Sequence, residues 1–528
     1  MEELVTYNGK YFPVDNFSGG EQSVVIASGN GDATVGGLDS ASYLDNIILF
    51  PGGKGFRSRL STDYNNATEF GAVDTYPVVG VGCLRLASGT EYILAIKKDK
   101  AYSATAAWSR AASYTDRTGA VSITGGSTAA VARSRIRWSF CTHNDLLIGF
   151  GGDWQGSPDA PFKWAGAANN LAALGGTPPS ARICFSARNR VFAFNTAADP
   201  NIMYWSVLGN PEDWTGVGSG NAYIGGLDDG EPVLAAGPIS NDIALVFKPN
   251  SIHAVDLTSA PFSSRLLIAG TGAHCFGSVV FGDGIAYYIT PQLTMKSTDG
   301  NSVKSHPPLP AITGIGQAPG QTAILPSVFG FRMEHDITGT YGKRDIIVWC
   351  FTTGEAVGWD LINSCWLRFS TGYKFVSGAH TRGAWFYGGW TDQGRVFIPE
   401  ALLAIYTDDT GEAAGNIACV WQSQWLNTSA IDQIVRPERF IVQGKLVVPV
   451  TYSATLTYGY DFSSSLSRTA SLSLTGGAYG FAPRAFLTGR GNLFRFRYAF
   501  SPTTATSTIF THRFLVGGKV AGQKAISA

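Results

Sequence analysis

The chain has 528 residues, of which 64 are glycine, about 12 % against a usual 7 % or so, and only 15 % are charged against a usual quarter. Together with 12 % aromatic residues, this excludes a coiled coil, a helical bundle and a disordered chain, and describes an all-β protein rich in turns. Net charge is zero, 39 basic against 39 acidic residues, which argues against holding nucleic acid by bulk electrostatics.

The first 50 residues are polar and glycine-rich, and residues 1–80 read as an extended N-terminal arm with the first one or two strands. Within them Lys54, Arg57 and Arg59 cluster around a glycine turn. From residue 81 to 412 a repeat emerges. Apolar, β-rich runs begin at 92, 146, 191, 243, 285, 346 and 384, an average interval of about 49 residues, and a turn precedes nearly every one. Repeats of roughly 40–50 residues predict propeller blades, each with four short strands joined by tight turns. The expectation is a β-propeller of six or seven blades, closed by strands from both ends of the chain so that no sheet edge is left. Trp and Tyr in the later strands of each unit are expected to wedge between neighbouring blades.

The pattern breaks at 407–416, a polar stretch that reads as a linker. Residues 413–528 carry longer alternating strands, at 439–450, 454–460, 472–475, 493–498 and 508–515, which predict a β-sandwich-like domain. From Asn416 to the end there are 11 basic and three acidic residues, net +8, which leaves 28 against 36, net −8, in residues 1–415. The expected molecule is an acidic body with a basic tail domain.

Little in the sequence points to catalysis. HExxH and GxSxG are absent, and Lys54 lacks the spacing and the Ser/Thr of a P-loop. The seven cysteines are scattered, odd in number and set in apolar runs, so they read as small core fillers in a reducing compartment. Cys141 and His143 share a strand face but have no further ligand nearby in sequence, and the adjacent His274 and Cys275 would point to opposite faces of a strand. The carboxylate groups Asp228, Asp229 and Glu231, and Asp408, Asp409 and Glu412, would suit a glycosidase, but their Asp-Gly and Thr-Gly contexts read as turns. The reading is not an enzyme, with no catalytic, cofactor or metal residues. The N-terminus lacks the pattern of a signal peptide, and no window has the 18 apolar residues of a membrane helix. Synthesis in a cytoplasm is expected.

Basic residues supply candidates for contact. Arg133, Arg135 and Arg137 alternate with Ser134, Ile136 and Trp138, so a strand there would present three guanidiniums on one face. Arg495 and Arg497 interleave with Phe494, Phe496 and Tyr498 in the same way. Such faces, with Lys54, Arg57 and Arg59, would meet phosphates or an acidic partner.

Residues 188–247 carry a further pattern: NRVFAF at 189–194, MYWS at 203–206, GNPEDW at 209–214, GSG at 218–220, DDG at 228–230 and LVFK at 245–248. It is marked by Trp205, Pro211, Asp213, Trp214, Asp228 and Asp229. With NIILFPGG at 46–53 and GRGN followed by FRF at 489–496, it resembles the β-propeller tail proteins of short-tailed bacteriophages, the tail nozzle (tubular) proteins and DNA-stabilising tail factors. The resemblance implies a virion protein, assembled in the host cytoplasm, that forms a homo-oligomeric ring, a hexamer, below the portal and adaptor. Such a ring continues the DNA channel, retains the genome without sequence specificity and offers its outer surface to fibres or spikes. The alternatives are a propeller that binds or cleaves host glycans, and a cytoplasmic interaction propeller.

Overall fold

The structure, a computed structural model, describes residues 70–310 except 72–73, 107–111, 167–168 and 227–228, and outside that span strands and short segments within 11–64 and 328–523. Each of the seven apolar runs becomes the second strand of a four-stranded antiparallel unit, from Glu91–Lys97 in the first to Trp385–Gly389 in the seventh. These second strands lie between two hydrogen-bonded neighbours and under the adjoining units. Both faces are therefore covered, and the sequence is continuously apolar rather than alternating. In Ile243–Phe247, for example, the last four residues are all buried.

The first strands of the units are Val78–Arg85, Ile136–His143, Ala181–Ala187, Ala235–Pro238, Val279–Gly282, Val328–Asp336 and Phe375–His380. Each contacts the next in sequence order, and the seventh contacts the first, so they close a ring around one axis. This arrangement is a β-propeller. Tight turns lead from first to second strands: Asn144 and Asp145, Arg188 and Asn189, and Asp283 and Gly284 all have positive φ. Two successive left-handed residues fit the type I′ hairpin, whose twist matches that of the strands. Near the axis the strands crowd. A Cβ added at Gly82 would lie 2.8 Å from Phe140 Cγ, and one at Gly330 would lie 2.7 Å from Trp349 Cδ1. Glycine there lets an aromatic ring of the adjoining strand approach the backbone.

The seventh unit takes its fourth strand from the other end of the chain. Asp63–Tyr64 pairs with Val396–Ile398, Tyr64 opposite Phe397. Trp349, fully buried, donates its Nε1–H to the Ser278 carbonyl at 3.1 Å, satisfying its polar atom while it fills the space between units five and six.

Two further sheets face one another beside the propeller. One contains Ile47–Leu49, Phe56–Ser58, Ile509–Gln523, Gln433–Leu446 and Arg484–Phe486, with Tyr11–Val14 also paired to Ile509–Gln523. The other contains Cys419–Ser423, Leu493–Phe500, Thr451–Tyr460 and Arg468–Thr475. It runs on into unit six through Ser40–Asp45 and Gly20–Glu21, where Glu21 pairs with Trp366. The core between the sheets holds Trp421 and Phe514 at 5.0 Å and Phe440 and Phe496 at 4.7 Å between ring centroids. It is continuous with buried residues of units six and seven. N-terminal strands thus complete both the sandwich and the last propeller unit.

Candidate functional site

The residues that carry the sequence pattern at 188–247 form a three-way joint between units two, three and four. Between its third and fourth strands, unit three makes an excursion over residues 206–219. Asp213 caps a turn there, its Oδ1 accepting the amides of Thr215 at 3.2 Å and Gly216 at 2.8 Å. That turn inserts Trp214 beneath the surface, where its Nε1–H donates to the buried Pro211 carbonyl at 2.9 Å. Its ring meets Phe150 of unit two edge-on at 6.1 Å. Glu212 ties the same excursion to unit two, accepting from Lys163 Nζ at 2.6 Å and from the Gly175 amide at 2.9 Å. The Lys163 ammonium, helped by that amide and opposed by burial, holds the Glu212 carboxyl below its usual range.

On the other side, Trp205 is buried, donates to the Gly218 carbonyl at 3.1 Å and stands edge-on to Phe262 of unit four at 5.1 Å. Arg190 lies over the same Phe262 ring and donates to the carbonyls of Ser206 at 2.6 Å and Gly218 at 2.8 Å. A charged network continues from here. Lys248, wholly buried, donates to the Ile224 carbonyl at 2.6 Å and pairs with Asp229 Oδ2 at 2.9 Å. Asp229 Oδ1 accepts the Glu231 amide at 3.1 Å, and Glu231 in turn accepts from Asn250 Nδ2 at 2.5 Å. Burial opposes ionisation of Asp229, but the Lys248 ammonium and the Glu231 amide outweigh it and hold the carboxyl below its usual range. Burial, then Lys248, pushes the neighbouring His253 imidazole down. Asp228 lies outside the described residues.

The expected strand face of three arginines does not form. Residues Ala129–Arg135 form a short α-helix, capped by Thr128 Oγ1, which accepts the Val131 amide at 3.2 Å. An N-cap threonine followed by alanine-rich sequence overrides the alternation that suggested a strand. Arg133 and Arg135 are therefore helical, and only Arg137 lies in the strand that follows. Arg135 forms a forked pair with Asp153. Arg137 is buried, donates to the carbonyls of Arg133 and Ile136 at 2.6 and 2.7 Å, and is pushed down to about 10 by burial. Three guanidiniums on one strand face do not exist.

Arg495 and Arg497 do alternate with buried Phe494, Phe496 and Tyr498 along one strand. Arg497 is exposed, and Arg495 is half-buried with its Nε–H donating to the Ser423 carbonyl at 3.2 Å. Arg57 lies in Phe56–Ser58 opposite Ile48, while Lys54, Arg59, Asp409 and Glu412 fall outside the described residues.

The Cys141 thiol meets Cys184, on the first strand of the next unit, and that hydrogen bond together with burial raises it well above the usual thiol range. His143 instead places Nδ1 3.3 Å from Ser186 Oγ. Sequence spacing missed Cys184 because the two residues are brought together by ring closure between units, not by position along the chain. Among the described residues no group of three or more His, Cys, Asp or Glu side chains could hold a metal ion, and no helix is long and apolar enough to cross a membrane. The axial cavity measures about 570 Å³ and has a mixed lining, with Phe140, Phe185 and Phe276 among its apolar residues and Arg137, Ser139 and His380 among its polar ones.

No protein-family model matches the sequence, and none of the curated proteins does. Solved structures that are similar include the WD40 β-propeller domain of Doa1, at 12 % identity over 64 % of this chain and 97 % of that one, with a TM-score of 0.39. BBS1N in complex with ARL6DN is similar at 10 % identity over 67 % of this chain and 97 % of that one, TM-score 0.39. An exo-β-1,3-galactanase from Phanerochaete chrysosporium matches at 9 % identity over 87 % of this chain and 100 % of that one, TM-score 0.27. Likenesses this distant concern the fold alone. By its own strand order the chain is an all-β protein, a β-propeller joined to a two-sheet sandwich.

Proposed function

We propose that this chain is a structural subunit of a short-tailed phage tail, a nozzle or hub protein that assembles in the host cytoplasm into a six-fold ring below the portal–adaptor. The ring continues the DNA channel, retains the genome and carries fibres or spikes on its outer surface. The observation that carries this reading is the use made of the pattern at 188–247. Trp205, Trp214 and Asp229 reach neighbouring units through Phe262, Phe150 and Lys248, and Pro211 and Asp213 hold the turn that inserts Trp214, so these residues of the pattern have architectural roles.

Two physical points support it. An axial cavity of about 570 Å³ holds a few side chains, not a duplex, so a conduit has to be formed between several chains. A body of net charge −8 lets phosphates slide past instead of capturing them, because each neutralised phosphate adds to binding. The tail domain, at net +8, suits docking on an acidic neighbour. Native mass measurement on the purified protein tests the assembly: the reading predicts a closed oligomer of six 56.1 kDa chains. A monomer that stays single even when mixed with portal and adaptor rings would overturn it.

A further inference from the structure

A groove of about 780 Å³ lies between the fourth strands of units three and four, Gly220–Tyr223 and Ser264–Ala269. Its rim exposes two large apolar side chains that the fold leaves uncovered, Tyr223 at 37 % and Leu266 at 56 %. Its wall is polar, with Asp229, Glu231, Ser251 and Ser264 along it. His253 also lines it, only 2 % exposed, with Nε2 3.1 Å from Ser251 Oγ and an Nδ1 that has no hydrogen-bond partner among the described residues. Gly225 makes the wall possible. With φ at 84° here and 100° at Gly226, the chain turns tightly over the network, and a Cβ at Gly225 would collide with the Asp229 carboxylate and lie 3.1 Å from His253 Cε1.

We propose that this groove binds a neutral saccharide, without cleaving it. The lining selects the ligand class. An apolar ligand would strip water from Asp229, Glu231 and Ser251 and return no hydrogen bonds, which is costly for each group left unpaired. A cationic ligand meets a single unbalanced carboxylate, because Lys248 already balances Asp229, while the oxygens of Glu231 already accept from the Asn250 amide at 3.3 Å and its Nδ2 at 2.5 Å. Sugar hydroxyls both donate and accept, so they can use the remaining carboxylate lone pairs and the serine hydroxyls together. The C–H face of a pyranose packs on an aromatic ring such as Tyr223. A concave site with a few convergent polar groups and an aromatic wall is the usual form of a small-ligand pocket. Both carboxylates are committed to internal donors, so neither is poised as a proton donor or nucleophile. The groove lies within one chain and does not depend on ring formation.

The test titrates the full-length protein with cellohexaose, maltohexaose, N-acetylchitohexaose and mannohexaose, followed by saturation-transfer NMR and calorimetry. At least one of these binds, and Tyr223→Ala and Ala269→Trp, which respectively remove the aromatic wall and fill the groove, each weaken it by about tenfold or more. Both positions are exposed, and unchanged melting curves show that the variants fold. Failure of all four sugars to bind at about 10 mM overturns the proposal. So does binding that both variants leave intact, and so does oligolysine displacing the sugar at equal concentration, which would mark the groove as a cation site.

Discussion

Lys248 offers the sharpest test of how the joint between units three and four is held. Replacing it with methionine keeps the apolar stem but removes an ammonium that is wholly buried and bonded to both the Ile224 carbonyl and Asp229. Breaking a buried ion pair from one side costs about 3–5 kcal/mol, and an orphaned buried carbonyl about 1–3 kcal/mol. Asp229 keeps 25 % of its side chain exposed and the Glu231 amide, so water relieves part of the loss. The expected destabilisation is therefore about 2–4 kcal/mol. Adding Asp229→Asn to the variant removes the unpaired charge and recovers roughly half of it.

The assay is urea unfolding together with hydrogen exchange over residues 222–231, because a chain of this size need not unfold in one step. The pH dependence has a definite sign. Asp229 is held below its ordinary 3.8, so its contribution is fully present above that pH and fades as pH falls through the lower folded value. The gap between wild type and Lys248→Met should accordingly narrow below pH 3.8. A variant within about 0.5 kcal/mol of wild type, with unchanged exchange at 222–231, would refute the reasoning.

Other outcomes follow from the same geometry. Arg332 of unit six forks onto Asp345 at 2.7 and 2.5 Å and reaches Asp283 of unit five at 2.6 Å. Arg332→Lys cannot keep the fork and should cost about 1–2 kcal/mol in unfolding experiments, whereas Asp283→Asn, at a 73 % exposed side chain, should cost under about 0.5 kcal/mol. Gly82→Ala drives a methyl into Phe140 and should lower stability by about 1–3 kcal/mol; an unchanged melting temperature would mean that the first strands are not so closely packed. Burial, then Lys304, pushes His306 down to about 4. Its neutral form therefore stabilises the fold above the ordinary 6.5, and that contribution fades as pH falls towards 4. NMR titration should find the ring neutral at pH 5.5, and His306→Gln should flatten the stability profile between 6.5 and 4.

The repeat was legible because each second strand is sandwiched on every side and so reads as an unbroken apolar run. The other strands of a unit leave weaker traces. Val78–Arg85 is interrupted by Gly80 and Gly82, and fourth strands such as Thr115–Asp116 and Ala172–Ala173 are two residues long. Closure of the seventh unit by Asp63–Tyr64 rests on two residue pairs, which no local pattern announces. In the candidate site the tryptophans and aspartates stood out in sequence. Lys248 entered only as the end of LVFK and His253 not at all, because a lysine at the end of an apolar strand looks like a surface residue until Asp229 is folded over it. Arg133, Arg135 and Arg137 misled because alternation over five residues is a weaker signal than a threonine cap before a run of alanines.

Electron microscopy of the purified full-length protein, with particles sorted by symmetry, tests the central claim most directly. Six-fold rings around an axial channel wide enough for a duplex are expected, with each subunit a propeller whose own axial cavity, about 570 Å³, is too small for one. Single propellers, or closed oligomers without a central channel, even in the presence of portal and adaptor rings, would contradict it.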